Sequence, residues 1–286
     1  MAFKIITDTC SDFPMEMYKE LDVEVVPMSV LYKGVSYNTY TEQWLKELYQ
    51  GLRHGESAST AAVNPTEWTE HMEAVLEQGL DALVLPFSSG MSTTYQSAVI
   101  AAEELLEKYP DRKIVVVDIR CASMGQGLMV WYACQKRDQG MSLEEVAAWC
   151  EDNKMNLCHW VIADDLMHLK RGGRISAATA VAGTLLQIKP VIHVNDEGKL
   201  ISVGKARGRK AAIQTLCKKV GELGIPGANE TIFISHADCI DDARELAAML
   251  QETYGTKNVV ISYIGAVIGA HAGPGTMAIF FLGNHR

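Results

Sequence analysis

The chain contains no Cys-x-x-Cys, although seven cysteines are present, at positions 10, 121, 134, 150, 158, 217 and 239. Their odd number and scattered spacing exclude a zinc knuckle and argue against a disulfide framework, so small buried thiols in a reducing compartment are expected. Also missing are H-E-x-x-H, G-x-x-x-x-G-K-[ST] and a complete G-x-G-x-x-G, since Gly125-Gln126-Gly127 lacks the third glycine. Neither a metal nor a nucleotide held by these motifs is expected. Basic residues are in the minority, 26 Lys and Arg against 35 Asp and Glu, and a net charge of −9 argues against nucleic acid and against a polybasic membrane anchor. The first residues lack the basic-then-apolar pattern of a secretory signal, so a cytoplasmic location is expected. From Asn258 to His285, 28 residues carry no Asp, Glu, Lys or Arg. Gly269-Ala270-His271-Ala272-Gly273-Pro274-Gly275 interrupts that stretch before either apolar run reaches the roughly 20 residues a membrane span needs. Two buried strands around a special loop are expected there.

With 286 residues, 48 % of them hydrophobic and 21 % charged, the chain can bury a sizeable core and fill two domains of ordinary size. Lys4–Thr7, Val23–Tyr32, Ala82–Phe87 and Lys113–Ile119 read as strands. Between them lie helices, one capped by Thr41, one opening at Asn64-Pro65 and running to Gly79, and one reaching Tyr109. Asp12-Phe13-Pro14 reads as a helix start with Asp12 as its cap, and Ser142-Leu143-Glu144-Glu145 as a capping box. Continuous apolar strands alternating with helices imply a parallel sheet covered on both faces. Beyond about residue 155 the texture changes. Lys189–Val194 and Lys199–Val203 form a hairpin around Asp196-Glu197-Gly198, and strands at Thr231–Ser235, Val259–Ile264 and Met277–Leu282 imply a mixed sheet. A domain boundary near residue 160 and an extensive interface are expected, and such crevices favour ligands.

Four stretches carry candidate chemistry. Ser88-Ser89-Gly90-Met91-Ser92-Thr93-Thr94-Tyr95 lies between a strand and a helix, where hydroxyls and free amides suit a carboxylate or phosphate; simple helix capping also accounts for it. Ser57-Ala58-Ser59-Thr60-Ala61-Ala62-Val63-Asn64-Pro65 reads as a small polar loop before a capped helix. Leu169-Lys170-Arg171-Gly172-Gly173-Arg174-Ile175-Ser176 sets basic side chains around paired glycines, with Ser176 placed to cap a following helix. It can meet an anion or simply end a helix. His271 stands alone in a Gly/Ala-rich setting that admits a close backbone or ligand, although a lone histidine is commonly a satisfied core residue.

In this order and spacing the stretches resemble the DegV family of bacterial fatty-acid-binding proteins. The resemblance runs from Thr7-Asp8-Thr9-Cys10-Ser11-Asp12 to the C-terminal glycine loop. Its most specific pieces are Ser92-Thr93-Thr94-Tyr95-Gln96-Ser97-Ala98, Leu169-Lys170-Arg171-Gly172-Gly173-Arg174-Ile175 and Gly269–Gly275. It implies two α/β domains with one long-chain fatty acid at their junction: a three-layer α/β/α domain with a parallel sheet (1–160) and a two-layer α/β domain with a mixed sheet (161–286). By the same resemblance Thr60, Ser92 and His271 contact the carboxylate, and Arg171, Arg174 and Arg207 serve phosphotransfer or docking. The protein is then a carrier and not itself an enzyme, with no metal and no cofactor beyond the bound acid. A separate ATP-binding subunit, the fatty acid kinase, phosphorylates the carboxylate. The acyl phosphate moves toward phospholipid synthesis, with an acyl-phosphate acyltransferase as a further partner. Ala61-Ala62, Thr93 and Tyr40 depart from the family pattern, where Ser-Gln, Gly and a nearby Asp are usual.

A second class of function is a serine hydrolase built from Ser92, His271 and Asp118 or Asp238, although Gly90-Met91-Ser92-Thr93-Thr94 lacks the second elbow glycine. A third is a regulatory scaffold with structural lipid. Charge is unevenly spread: Lys170 to Lys210 holds nine basic and two acidic residues, so an otherwise acidic chain has one basic segment suited to phosphates or an acidic partner.

Overall fold

A computed structural model of the chain describes residues 2–164, 166–176 and 187–286. The first half runs β1 (Phe3–Asp8), α1 (Met15–Glu20), β2 (Val23–Val26), β3 (Ser29–Tyr32), β4 (Val35–Tyr37), α2 (Glu42–Arg53), β5 (Ala58–Ala61) and α3 (Pro65–Glu77). It continues with β6 (Asp81–Leu85), α4 (Thr94–Lys108), β7 (Ile114–Val116), α5 (Met124–Asp138) and α6 (Leu143–Asn153). The second half runs β8 (Leu157–Ile162), α7 (Met167–Arg171), β9 (Ile188–Val194), β10 (Leu200–Arg207), α8 (Arg209–Leu223) and β11 (Thr231–His236). It ends with α9 (Ile240–Tyr254), β12 (Asn258–Tyr263), α10 (Ala266–Ala272) and β13 (Met277–Leu282).

The fold is mixed α/β. An all-parallel sheet has the order β2-β1-β6-β7, and a mixed six-stranded sheet the order β10-β9-β8-β13-β11-β12. Helices cover both faces of the parallel sheet, as its continuous apolar strands require: α3 and α4 on one side, α5 and α6 on the other. Two local signals open helices as expected. Asn64 and Glu67 form a capping box with Pro65 at the first turn, and Ser142 and Glu145 form another.

Four local expectations change. Ala58–Ala61, inside the stretch read as a small polar loop, is strand β5, held by pairing with β3. Val23–Tyr32 is two strands: beyond Pro27 the chain leaves the parallel sheet and enters a small antiparallel sheet, β4-β3-β5. Proline cannot donate to a ladder, which favours the break there. Asp12 does not cap the start of α1. It sits in the left-handed region (φ 55°), and α1 begins after Pro14. The Gly/Ala stretch before Gly273 is the short helix α10 rather than a loop. The helix anticipated after Ser176 lies outside the described residues.

Residue 160 falls inside β8, the third strand of the six-stranded sheet. The period of two along that sheet divides its side chains. Cys158, Trp160, Ile162, Ile279 and Phe281 pack outward under α8 and α9, whereas His159, Val161, Ile192, Ser235, Ala278 and Phe280 face inward toward the first half. Helix α5 bridges the two sheets, its buried face sharing a core with Phe233 and Phe280. Among the described residues no helix is long and apolar enough to cross a membrane.

Candidate functional site

A cavity of about 890 Å³ lies between the inward face of the six-stranded sheet and the first half of the chain. Most of its wall is apolar, including Met28, Phe87, Met91, Val161, Ile192 and Val267. Thr60, Ser92, Arg174 and His271 line it together, although more than 200 residues separate the first from the last. Each arrives on a different element. Strand β5 carries Thr60 opposite Val30, the turn before α4 carries Ser92, the glycine turn after α7 carries Arg174, and the last turn of α10 carries His271.

The Thr60 hydroxyl and His271 Nε2 are 2.7 Å apart. Burial, helped by the nearby Arg174 guanidinium, pushes the His271 imidazole down to about 4, so the ring is neutral near pH 7. Its Nδ1 is buried and has no hydrogen-bond partner among the described residues. Ser92 Oγ lies 2.8 Å from the Thr94 hydroxyl and accepts the Thr94 amide at 3.2 Å, a turn that fixes its direction at the head of α4. Hydroxyls and a neutral ring beside one guanidinium can hold a carboxylate through hydrogen bonds.

A second cavity of about 370 Å³ adjoins the first and is polar and basic, with Ser57, Ser59, His168 and Arg171 in its wall. Thr60, Arg174 and His271 belong to both cavities. A Cβ on Gly172 would stand 2.0 Å from His271 Nδ1, so the first of the paired glycines lets the basic turn pass over the imidazole. Arg174 folds back to donate to the Gly172 carbonyl at 2.6 Å. Arg207 lies at the end of edge strand β10 and lines neither cavity.

No hydrolase triad is assembled among the described residues. Ser92 is bonded to Thr94, and the partner of His271 is Thr60. Asp118 accepts from the Ser89 amide and hydroxyl, and Asp238 pairs with Arg53. Among the described residues His271 therefore has no carboxylate behind it, the feature that would orient it as a base.

The family model described as "Uncharacterised protein, DegV family COG1307" matches residues 2–284. The chain belongs to the DegV family. It is 45 % identical to a DegV domain-containing protein of Clostridium perfringens, covering 99 % of this chain and 98 % of that one, and 35 % identical to one of Lactococcus lactis, covering 98 % and 97 %. Among solved structures, a fatty-acid-binding DegV family protein of Thermus thermophilus superposes with a TM-score of 0.88 at 32 % identity, over 99 % of this chain and 100 % of that one. A Thermotoga maritima protein whose structure revealed a fatty acid binding function superposes at 0.87 with 28 % identity, over 99 % of each chain. Both structures share the architecture described above.

Several cavity residues of this DegV chain carry no local signal in the sequence: Met28, Ser123, His159 and Ser235 among them. For His159 and Ser235, alternation with outward-facing neighbours marks a strand face, but only the docking of the two halves makes that face a cavity wall.

Proposed function

We propose that this chain binds one long-chain fatty acid in the larger cavity, its carboxylate at Thr60, Ser92 and His271, and presents that carboxylate to an ATP-binding kinase subunit. The observation that carries the reading is the junction itself: Thr60 and His271 stand where an apolar cavity meets a basic one. On one side, burying about fifteen methylenes at roughly 0.8 kcal/mol each contributes on the order of 12 kcal/mol. On the other, Arg171 and Arg174 offer guanidinium groups to a transferred phosphoryl group.

Hydroxyls and a neutral ring answer the desolvation cost of a buried carboxylate while leaving its oxygen nucleophilic. The chain acts in the cytoplasm as a carrier, with the catalytic ATP site on the partner and no cofactor of its own. Arg207 and the basic segment around it serve partner docking, and an acyl-phosphate acyltransferase takes the product toward phospholipid synthesis. Domain organisation is part of the reading, with the division placed in the turn before Leu157 so that it does not cut β8.

Mass spectrometry of an organic extract of the folded protein tests it, with about one long-chain fatty acid per chain expected. An extract without stoichiometric lipid, together with no binding of added fatty acid, overturns it. Exchange of labelled fatty acid with vesicles separates a carrier from a scaffold with structural lipid, which would not exchange.

A further inference from the structure

The inward face of the six-stranded sheet presents an aligned row at the cavity, Ser235–Ala278–Val161–Ile192–Ser202, each residue opposite the next. The middle three of the five are apolar, with Ser202 at the β10 end and Ser235 on β11. Ser235 Oγ lies 2.9 Å from Ser123 Oγ, and Ser123 Oγ lies 2.6 Å from Asp12 Oδ2. Both serines belong to the cavity wall, and Asp12 is buried behind them. Ser123 holds φ 54° and ψ −147°, a conformation that glycine adopts freely and a side chain does not. The hydroxyl is what the serine adds there.

We propose that Ser123 and Ser235 form a subsite for a hydroxyl group carried on the middle of the acyl chain, so that hydroxylated fatty acids belong to this protein's ligand class. The inference rests on the fatty-acid reading above and adds a substituent to it. Counting protons gives the class. If Ser235 donates to Ser123 and Ser123 to an ionised Asp12, the serines keep spare lone pairs and can take a donor from the cavity. If a protonated Asp12 donates to Ser123 and Ser123 to Ser235, the Ser235 proton is left over and can be given to an acceptor. A ligand hydroxyl satisfies either direction, whereas a keto group satisfies only the second.

Position along the chain follows from α10. The Gly265 amide at its start donates to Asp12 Oδ1 at 3.0 Å, which places the serine pair near that end. His271 stands six residues on, roughly 9 Å along the axis at about 1.5 Å per residue. The pair is thus set well away from the carboxylate contacts. His159, another polar side chain on the inward face, is occupied: its Nδ1 meets the Leu157 carbonyl at 2.9 Å and its Nε2 accepts the Ala122 amide at 3.4 Å.

Affinities for stearic acid, a hydroxystearic acid with its hydroxyl at mid-chain, and the chain-end hydroxylated isomer, measured with wild type, Ser235→Ala and Ser123→Gly, test the proposal. Wild type is expected to hold the mid-chain isomer about as tightly as stearic acid and to bind the chain-end isomer about tenfold more weakly, its hydroxyl having no partner. In each variant the mid-chain isomer should lose roughly five- to tenfold relative to stearic acid. Stearic acid should bind Ser235→Ala somewhat tighter, because alanine offers it a methyl group. A wild type that rejects both hydroxylated acids equally, or variants that keep the wild-type ratio, overturns the subsite. Failure of stearic acid itself to bind wild type overturns instead the fatty-acid reading on which the subsite rests.

Discussion

A methyl group on Gly172 would occupy the space of His271 Nδ1, so the imidazole and the basic turn are mutually fitted. Gly172→Ala must push one of them aside. It is expected to weaken fatty-acid binding by about tenfold or more while shifting the melting temperature little, because the clash lies at the ligand site and not in a packed core. Calorimetric titration beside a thermal melt checks both parts. Burial also sets the charge of the ring. Histidine NMR on the ligand-free protein should give His271 a midpoint near 4, against an ordinary value of 6.5. The sequence marks these residues because Gly-Gly between arginines and a histidine among glycines are unusual locally. It could not show that Thr60, rather than an aspartate, would be the partner of that histidine, since the contact joins β5 to α10.

At the level of elements, caps and close crossings hold the site's supports. The Asn64 carboxamide accepts the Glu67 amide at 3.0 Å, opening α3 just beyond the strand that carries Thr60. Asn64→Ala should cost about 1 kcal/mol in urea unfolding. Helix α10 crosses α2 so closely that a Cβ on Gly269 would lie 2.3 Å from the Tyr49 hydroxyl, which itself donates to the Ile264 carbonyl at 2.5 Å. Gly269→Ala should therefore destabilise by roughly 1–3 kcal/mol through overpacking. Capping boxes, buried strands and the hairpin are legible along the chain because their causes are local. The break after Val26 and the helical turn of α10 are less so, because the small antiparallel sheet and the crossing with α2 depend on distant partners.

Across the whole molecule, Asp12 ties the two halves: its carboxyl meets Ser123 in one and the Gly265 amide in the other. Burial pushes this carboxyl up to about 8, from 3.8. A raised carboxylate favours the folded state most below its unfolded value, so Asp12's contribution should fall as pH rises between about 4 and about 8 and level off above. Asp8, which burial pushes up to about 6, titrates in both proteins, so the difference in stability between wild type and Asp12→Asn, measured against pH, should carry the Asp12 slope. Charge reversal at Arg171 and Arg207, in the basic segment, should slow phosphorylation by the proposed kinase partner, more at low salt, with fatty-acid affinity nearly kept. Alternating apolar strands and helices suffice for the fold class, because periodicity and turn chemistry act over a few residues, and the motifs at Ser92–Ala98, Leu169–Ile175 and Gly269–Gly275 carry the likeness to the DegV family. The cavity, the neutral Thr60–His271 pair and the serines behind it arise only when the two sheets close on each other. Burial and proximity between residues hundreds of positions apart are properties of packing, and no short-range pattern encodes them.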